Sequence, residues 1–131
     1  MIRQEVIKQL DYLYPDIPIY AEEVTQGFQE PSFYVKVLNG SQKRELNTRY
    51  KRTYNLDIHY FGTTNKECEV VADILYEKME YLLNNMAKGI NMHHEVIDKV
   101  LHFFVDYNIR IKKEQQSIPK LKDLEVKENG K

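Results

Sequence analysis

Tryptophan is missing from this sequence, cysteine occurs once, and no apolar run reaches the ~18 residues that a membrane-spanning helix needs. A lone Cys68 excludes an intrachain disulfide, in keeping with a reducing compartment. Charge of one sign is lacking too. Lys and Arg number 19 against 20 Asp and Glu, for a formal net charge of −1. Such a balance removes any global attraction to nucleic acid or an anionic membrane and leaves only local patches. The first helix begins at Met1 with charged residues interspersed, which argues against a signal peptide, so a soluble cytosolic protein is expected. There is no glycine-rich phosphate loop, no paired-carboxylate motif and no serine elbow. The chain is therefore expected not to be an enzyme, and to need no cofactor.

What is present is a globular composition, 42% hydrophobic and 30% charged over 131 residues. One domain of this length buries roughly two thirds of its unfolded surface. Ten Tyr and five Phe supply the aromatic content. Tyr combines a large apolar ring with a polar tip, which suits half-buried strand and interface positions.

Ile2, Val6, Leu10 and Leu13 recur at helical spacing, so a helix is expected from Met1 to about Tyr14, stopped by Pro15. Ile17 to Tyr20 contains a proline and fits a short edge strand. Thr25 to Pro31 is expected to be a loop. From Ser32 to Leu38 apolar and polar residues alternate with period two, the mark of a half-buried strand. Asn39-Gly40-Ser41 carries turn chemistry, and Gln42 to Asn47 either extends the sheet as a hairpin arm or forms the loop itself. Arg49 to Phe61 alternates again, apolar towards Tyr60 but charged at Arg49, Lys51 and Arg52, so its beginning is expected to project past the core. Gly62 breaks the pattern. Thr64 and Glu67 have capping-box spacing for a helix from about Asn65, whose stripe continues through Leu82, Leu83 and Met86, with Gly89 as its stop. Glu95 to Val100 and then Leu101 to Lys112 resume the alternation. The segment 113–131 is rich in Lys, Glu and Gln and is expected to be a charged tail, flexible or ordered on a partner.

The expected fold is α+β. It comprises a mixed, mostly antiparallel sheet of about four to five strands with two helices packed on it, in a single domain over residues 1–112. Candidate chemistry is sparse. Cys68 near a helix start invites a nucleophile, but Glu67 and Glu69 flank it with charge of the wrong sign, and a small buried hydrophobe is favoured. His93-His94-Glu95 with Asp98 invites a metal, yet adjacent strand residues point to opposite faces, so no metal site is expected. Arg49, Lys51 and Arg52, interleaved with Tyr50 and Tyr54, could track a phosphate backbone, although a protein interface or a solvated strand end fits the charge balance better.

Certain blocks occur in a distinctive order. They are Tyr14-Pro15-Asp16-Ile17-Pro18-Ile19-Tyr20, Glu23, Gln26-Gly27-Phe28, Pro31-Ser32-Phe33, and Asn47 with Arg49-Tyr50-Lys51-Arg52. Asp57-Ile58-His59-Tyr60-Phe61, Glu95-Val96-Ile97-Asp98 and Val100 to Tyr107 follow. In this combination the chain resembles the small tail terminator proteins of phages and phage-like particles of Gram-positive bacteria. The resemblance implies a subunit of a homohexameric ring that sits on the last ring of tail tube protein, stops tube polymerisation and offers its other face to the head-tail connector protein. In contractile tails the ring also meets the tail sheath protein. It further implies assembly in the host cytoplasm, residence in the virion tail, no membrane partner, and no specific nucleic acid beyond DNA passing through the ring. A head-tail joining or tail completion protein at another position is the alternative, and a small nucleic-acid-binding module a more distant one. The expected contact residues are Arg44, Arg49, Tyr50, Lys51 and Arg52 on the arm, with Gln26 and Phe28 on the preceding loop.

Overall fold

Period-two alternation over long segments needs a sheet, and an apolar sheet face needs a cover. Both are found in the computed structural model, which describes residues 2–22, 29–82 and 84–113. In chain order the elements are α1 (Ile2–Leu13), β1 (Ile19–Tyr20), β2 (Ser32–Leu46), β3 (Arg49–Phe61), α2 (Asn65–Lys78), β4 (Tyr81–Leu82), β5 (Ala87–Ile97) and β6 (Val100–Lys112). The sheet has six strands in the order β1-β2-β3-β6-β5-β4. β1 runs parallel to β2, and every other pairing is antiparallel. The α+β class is as expected, but the strand count is six instead of four to five.

Side-chain alternation divides the sheet into two faces. One carries Phe33 and Val35 of β2, Leu56, Ile58 and Tyr60 of β3, and Leu101, Phe103, Val105 and Tyr107 of β6. Ile2, Val6 and Leu10 of α1 and Cys68, Val71, Ala72 and Leu75 of α2 bury themselves against these residues in one cluster. Each large apolar side chain removed from water there contributes about 1.5–3 kcal/mol. Phe33 sits at the centre of an aromatic run, its ring 5.4 Å from Tyr14 and 4.9 Å from Tyr60.

The capping signal at Thr64 is realised. Its backbone is extended at φ −142° and ψ 156°, and its hydroxyl accepts the Glu67 amide at 3.0 Å. The Glu67 carboxylate is held by the Thr63 hydroxyl at 2.6 Å and by the Tyr60 hydroxyl. These two donors hold its carboxyl below the usual range, Thr63 contributing most, while burial foremost and then this carboxylate raise the Tyr60 phenol.

Two expectations are corrected. First, α2 does not run to Met86: it ends at Lys78, with the Met79 amide bonded to the Leu75 carbonyl at 2.8 Å. Of the apolar residues that seemed to continue its stripe, Leu82 belongs to β4 and Met86 lies just ahead of β5, and Gly89 lies inside a strand instead of stopping a helix. A Cβ at Gly89 would stand 2.9 Å from Val105 Cγ2 and 3.1 Å from the Met79 carbonyl oxygen. Glycine therefore lets the sheet pass directly beneath the end of α2. There the Gly89 amide donates to the Glu80 carbonyl at 2.6 Å, and the buried Tyr107 hydroxyl donates to the Met79 carbonyl at 2.5 Å. Second, Asn39-Gly40-Ser41 is not a turn. β2 runs through it, absorbing one residue in an irregularity between Val37 and Asn39, and reverses at Asn47, whose φ of 53° is left-handed. Another tight reversal joins β5 to β6 through Asp98 and Lys99, with φ of 50° and 67°, the signature of a two-residue hairpin loop. The tail expected beyond Lys113 lies outside the described residues.

Candidate functional site

From Arg49 to Thr53 no residue of β3 is buried, and the sheet runs on past the core, whose edge is marked by Tyr54 opposite the buried Tyr107. β2 is exposed or half-exposed from Lys36 to its end. β6 accompanies β3 along its whole length, from Arg49 opposite Lys112 to Phe61 opposite Val100, and the Lys113 amide donates to the Thr48 carbonyl at 2.7 Å. The open alternative left by the sequence is thus decided: residues 42–52 and 109–113, beyond the last pairing of β5 at Asn108, form a three-stranded arm.

Register sorts the arm residues onto two faces. Arg44, Tyr50 and Arg52 lie on the face that continues the core, and Arg49 and Lys51 on the opposite face. Arg44 and Arg52 are committed locally, donating to the Asn47 carbonyl and to Gln42 Oε1, both at 2.8 Å. The Tyr50 ring carries the Lys113 ammonium 4.4 Å from its centroid. On the other face, strand pairing places Lys43 opposite Lys51 and Lys51 opposite Arg110, a row of like charge across three strands, with Arg49 opposite Lys112 one step further out. Of this group Arg110 pairs with Glu45, at 3.2 Å; Lys43, Arg49, Lys51 and Lys112 make no hydrogen bond or ion pair among the described residues. Like charges directly opposite oppose folding, so this row is not there for the stability of the lone chain. Its cross-strand members Lys43, Arg110 and Lys112 were not legible as a group in the sequence, because only register brings them beside Lys51. Gln26 and Phe28 lie outside the described residues.

Towards the base of the arm the face opposite the helices becomes a polar network. Thr53 donates to Asn108 at 2.7 Å and Asn55 to Asp106 at 2.5 Å, while Asn91 donates to the other Asp106 oxygen at 2.9 Å. Further along lie Asp57, His59 and His102. Asp57 Oδ2 is 2.9 Å from His59 Nε2 and 3.1 Å from His102 Nδ1. The residues weighed in the sequence take other places. His93 stacks on Phe104 with ring centroids 4.7 Å apart, whereas His94 faces α2, bonded to Tyr76 at 2.7 Å and Glu69 at 2.8 Å. Cys68 is buried, burial pushes its thiol up, and its Sγ donates to the Lys99 carbonyl at 3.3 Å.

A groove of about 550 Å³ separates α1 from β4, lined by Glu5, Lys8, Gln9, Tyr12, Tyr81 and Leu82. Tyr12 on its rim is 80% exposed. Both outer strands are short: β1 covers only Phe33 and Tyr34 of β2, and β4 only Ala87 and Lys88 of β5. Among the described residues, most of the outer edge of β2 and of β5 is therefore left without a strand neighbour. No helix among the described residues is long and apolar enough to cross a membrane. Residues 1–119 match a family model described as Phage tail terminator protein. No curated protein matches the chain.

Proposed function

The chain belongs to the phage tail terminator family, with a structural role in phage tail assembly, and from that premise we propose that it closes into a ring on the end of the tail tube and stops tube growth. The observation that carries this is the three-stranded arm, whose cross-strand row of like charge costs the isolated chain stability and gains value against a partner. Ring closure needs a heterologous contact, one surface meeting a different surface on the next copy. The two uncovered edges supply such a pair, since β2 lies towards one side of the sheet and β5 towards the other. In this scheme the arm of each subunit reaches its neighbour or the last tube ring, and the opposite ring face meets the head connector or, in a contractile tail, the sheath. The role is architectural, and no step of it calls on catalysis or on a cofactor.

Polymerisation of purified tube protein with and without this chain tests the proposal. Wild type is expected to shorten tubes and to cap them with a ring visible in negative stain. A chain that stays monomeric in light scattering with tube protein present and leaves tube length unchanged sinks it. A second reading has one observation in its favour, the basic face of Lys43, Arg49, Lys51, Arg110 and Lys112, which would also suit a phosphate backbone. A salt-dependent gel shift abolished by neutralising Lys43, Arg49 and Lys51 would support it over a protein contact.

A further inference from the structure

Asp57 is unusual among the side chains of the sheet face opposite the helices. Its side chain is only 8% exposed, yet Oδ1 has no hydrogen-bond partner. Lys36 stands opposite it on β2 but forms no ion pair with it among the described residues. The carboxylate instead faces two imidazoles, His59 from its own strand and His102 from β6. These donors lie within 4.8 Å of one another. Aromatic rings wall the cluster: Tyr34 packs edge-on against His59 at 5.3 Å, Phe61 lies 6.0 Å from the same ring, and Phe104 lies 6.3 Å from His102.

We propose that Asp57, His59 and His102 bind a divalent first-row transition metal, zinc in the first instance. Two imidazoles and a carboxylate are a donor set that such ions accept, with a further coordination position left for water or for a group brought by a partner. The spacing is near what is needed. Ligand atoms at zinc distances in a tetrahedral arrangement stand about 3.3–3.5 Å apart, against the 2.9 and 3.1 Å that separate Asp57 Oδ2 from the two nitrogens. Entry of the ion spreads these contacts by a few tenths of an ångström and replaces two N–H···O bonds by N–metal bonds. Each neutral ring gives up the proton on the nitrogen that turns to the metal and takes one up from solvent on its other nitrogen, so each stays neutral and no net proton is released. The ion also supplies the positive charge that the buried carboxylate otherwise lacks and can engage the unpartnered Oδ1. The site joins β3 to β6, the two central strands, so its occupation braces the sheet at the base of the arm.

The test is zinc titration of the full chain after removal of metals with a chelator, followed by calorimetry and, for cobalt(II), by visible absorption. Wild type is expected to bind one ion per chain. Asp57→Asn and His102→Gln should each weaken binding by at least about tenfold, and His94→Gln, on the opposite face of the sheet against Tyr76 and Glu69, should leave it unchanged. Absence of binding, or equal affinity in wild type, Asp57→Asn and His102→Gln, overturns the proposal. If the variants do not fold, imidazole nitrogen NMR of the wild type decides. Zinc should move His59 Nε2 and His102 Nδ1 and leave His93 and His94 in place, and a response confined to His94, which sits against Glu69, refutes the assignment.

Discussion

Reversing the charge of Lys51 should make the isolated protein more stable and its assembly worse. Lys51 stands between Lys43 on β2 and Arg110 on β6, so Lys51→Glu turns two like-charge pairs into two opposite-charge pairs. Directly opposed charges on a sheet change stability by about 0.2–1 kcal/mol per pair. The site is half-exposed, which discounts the sum towards the low end. A net gain of about 0.5–1.5 kcal/mol follows, equivalent to a rise of about 2–5 °C in Tm for a two-state domain of 131 residues. Scanning calorimetry on the monomer in low salt measures the first half of the prediction, and the gain should shrink in high salt as screening sets in. Tube polymerisation measures the second half, where the variant should fail to limit tube length. Stabilisation together with undiminished tube termination would refute the claim that the row is kept for a contact. A drop in Tm would refute the premise that the row is repulsive at all.

Four further outcomes are expected. Tyr107→Phe removes a buried bond to the Met79 carbonyl and leaves that acceptor unpaired, so urea denaturation should show a loss of about 1–3 kcal/mol. Gly89→Ala drives a methyl group against Val105 and the Met79 carbonyl, which should cost about 1–3 kcal/mol by the same measurement. Thr64→Ala deletes the α2 cap and should cost about 1 kcal/mol, with amide exchange accelerated first around Asn65 to Cys68. The pH dependence has two limbs. Glu67 is held below its ordinary 4.5 in the folded chain, so its contribution is present above that pH and fades as acid titrates the folded carboxyl; Glu67→Gln should flatten that limb. Tyr60 and Tyr107 are held above 10.0, so their contribution is full below pH 10 and lost as the unfolded chain ionises above it, which thermal scans should show as a falling Tm.

Much of the fold could be read in the sequence because burial on one face imposes period two. Arg49 to Phe61 and Leu101 to Lys112 alternate where the structure has β3 and β6, and Thr64 announces the start of α2. The end of α2 was illegible for a definite reason. Leu82 and Met86 keep helical spacing after the chain has left the helix. What ends it is tertiary: Tyr107 reaches up to the Met79 carbonyl, and Gly89 makes room for it. Asn39-Gly40-Ser41 misled in the opposite direction. Turn propensity is local, whereas pairing with Thr53, Tyr54 and Asn55 of β3 holds the segment extended. The candidate site shows the same division. The projecting arm could be anticipated from charges at strand positions, but not the row from Lys43 to Arg110. Likewise Asp57 and His102 are 45 positions apart and meet only through strand register.

The hairpin ends at Asn47 and at Asp98-Lys99 are fixed very differently. At one, the Asp98-Lys99 turn is fastened to the start of α2: Lys99 donates to Asn65 Oδ1 at 2.7 Å, and its carbonyl accepts from Gly62 at 2.8 Å and from Cys68 Sγ at 3.3 Å. At the other, the described residues hold the Asn47 tip through the strands that lead to it, through Arg44 across its own turn and through the Lys113 amide on the Thr48 carbonyl. Mechanically the subunit is a cantilever, clamped at one end and loaded at the other. Strain applied at the tip is carried back along β3 and β6 to the clamp, so that in the proposed ring each copy would flex to meet an imperfectly matched neighbour while its helical body keeps its shape.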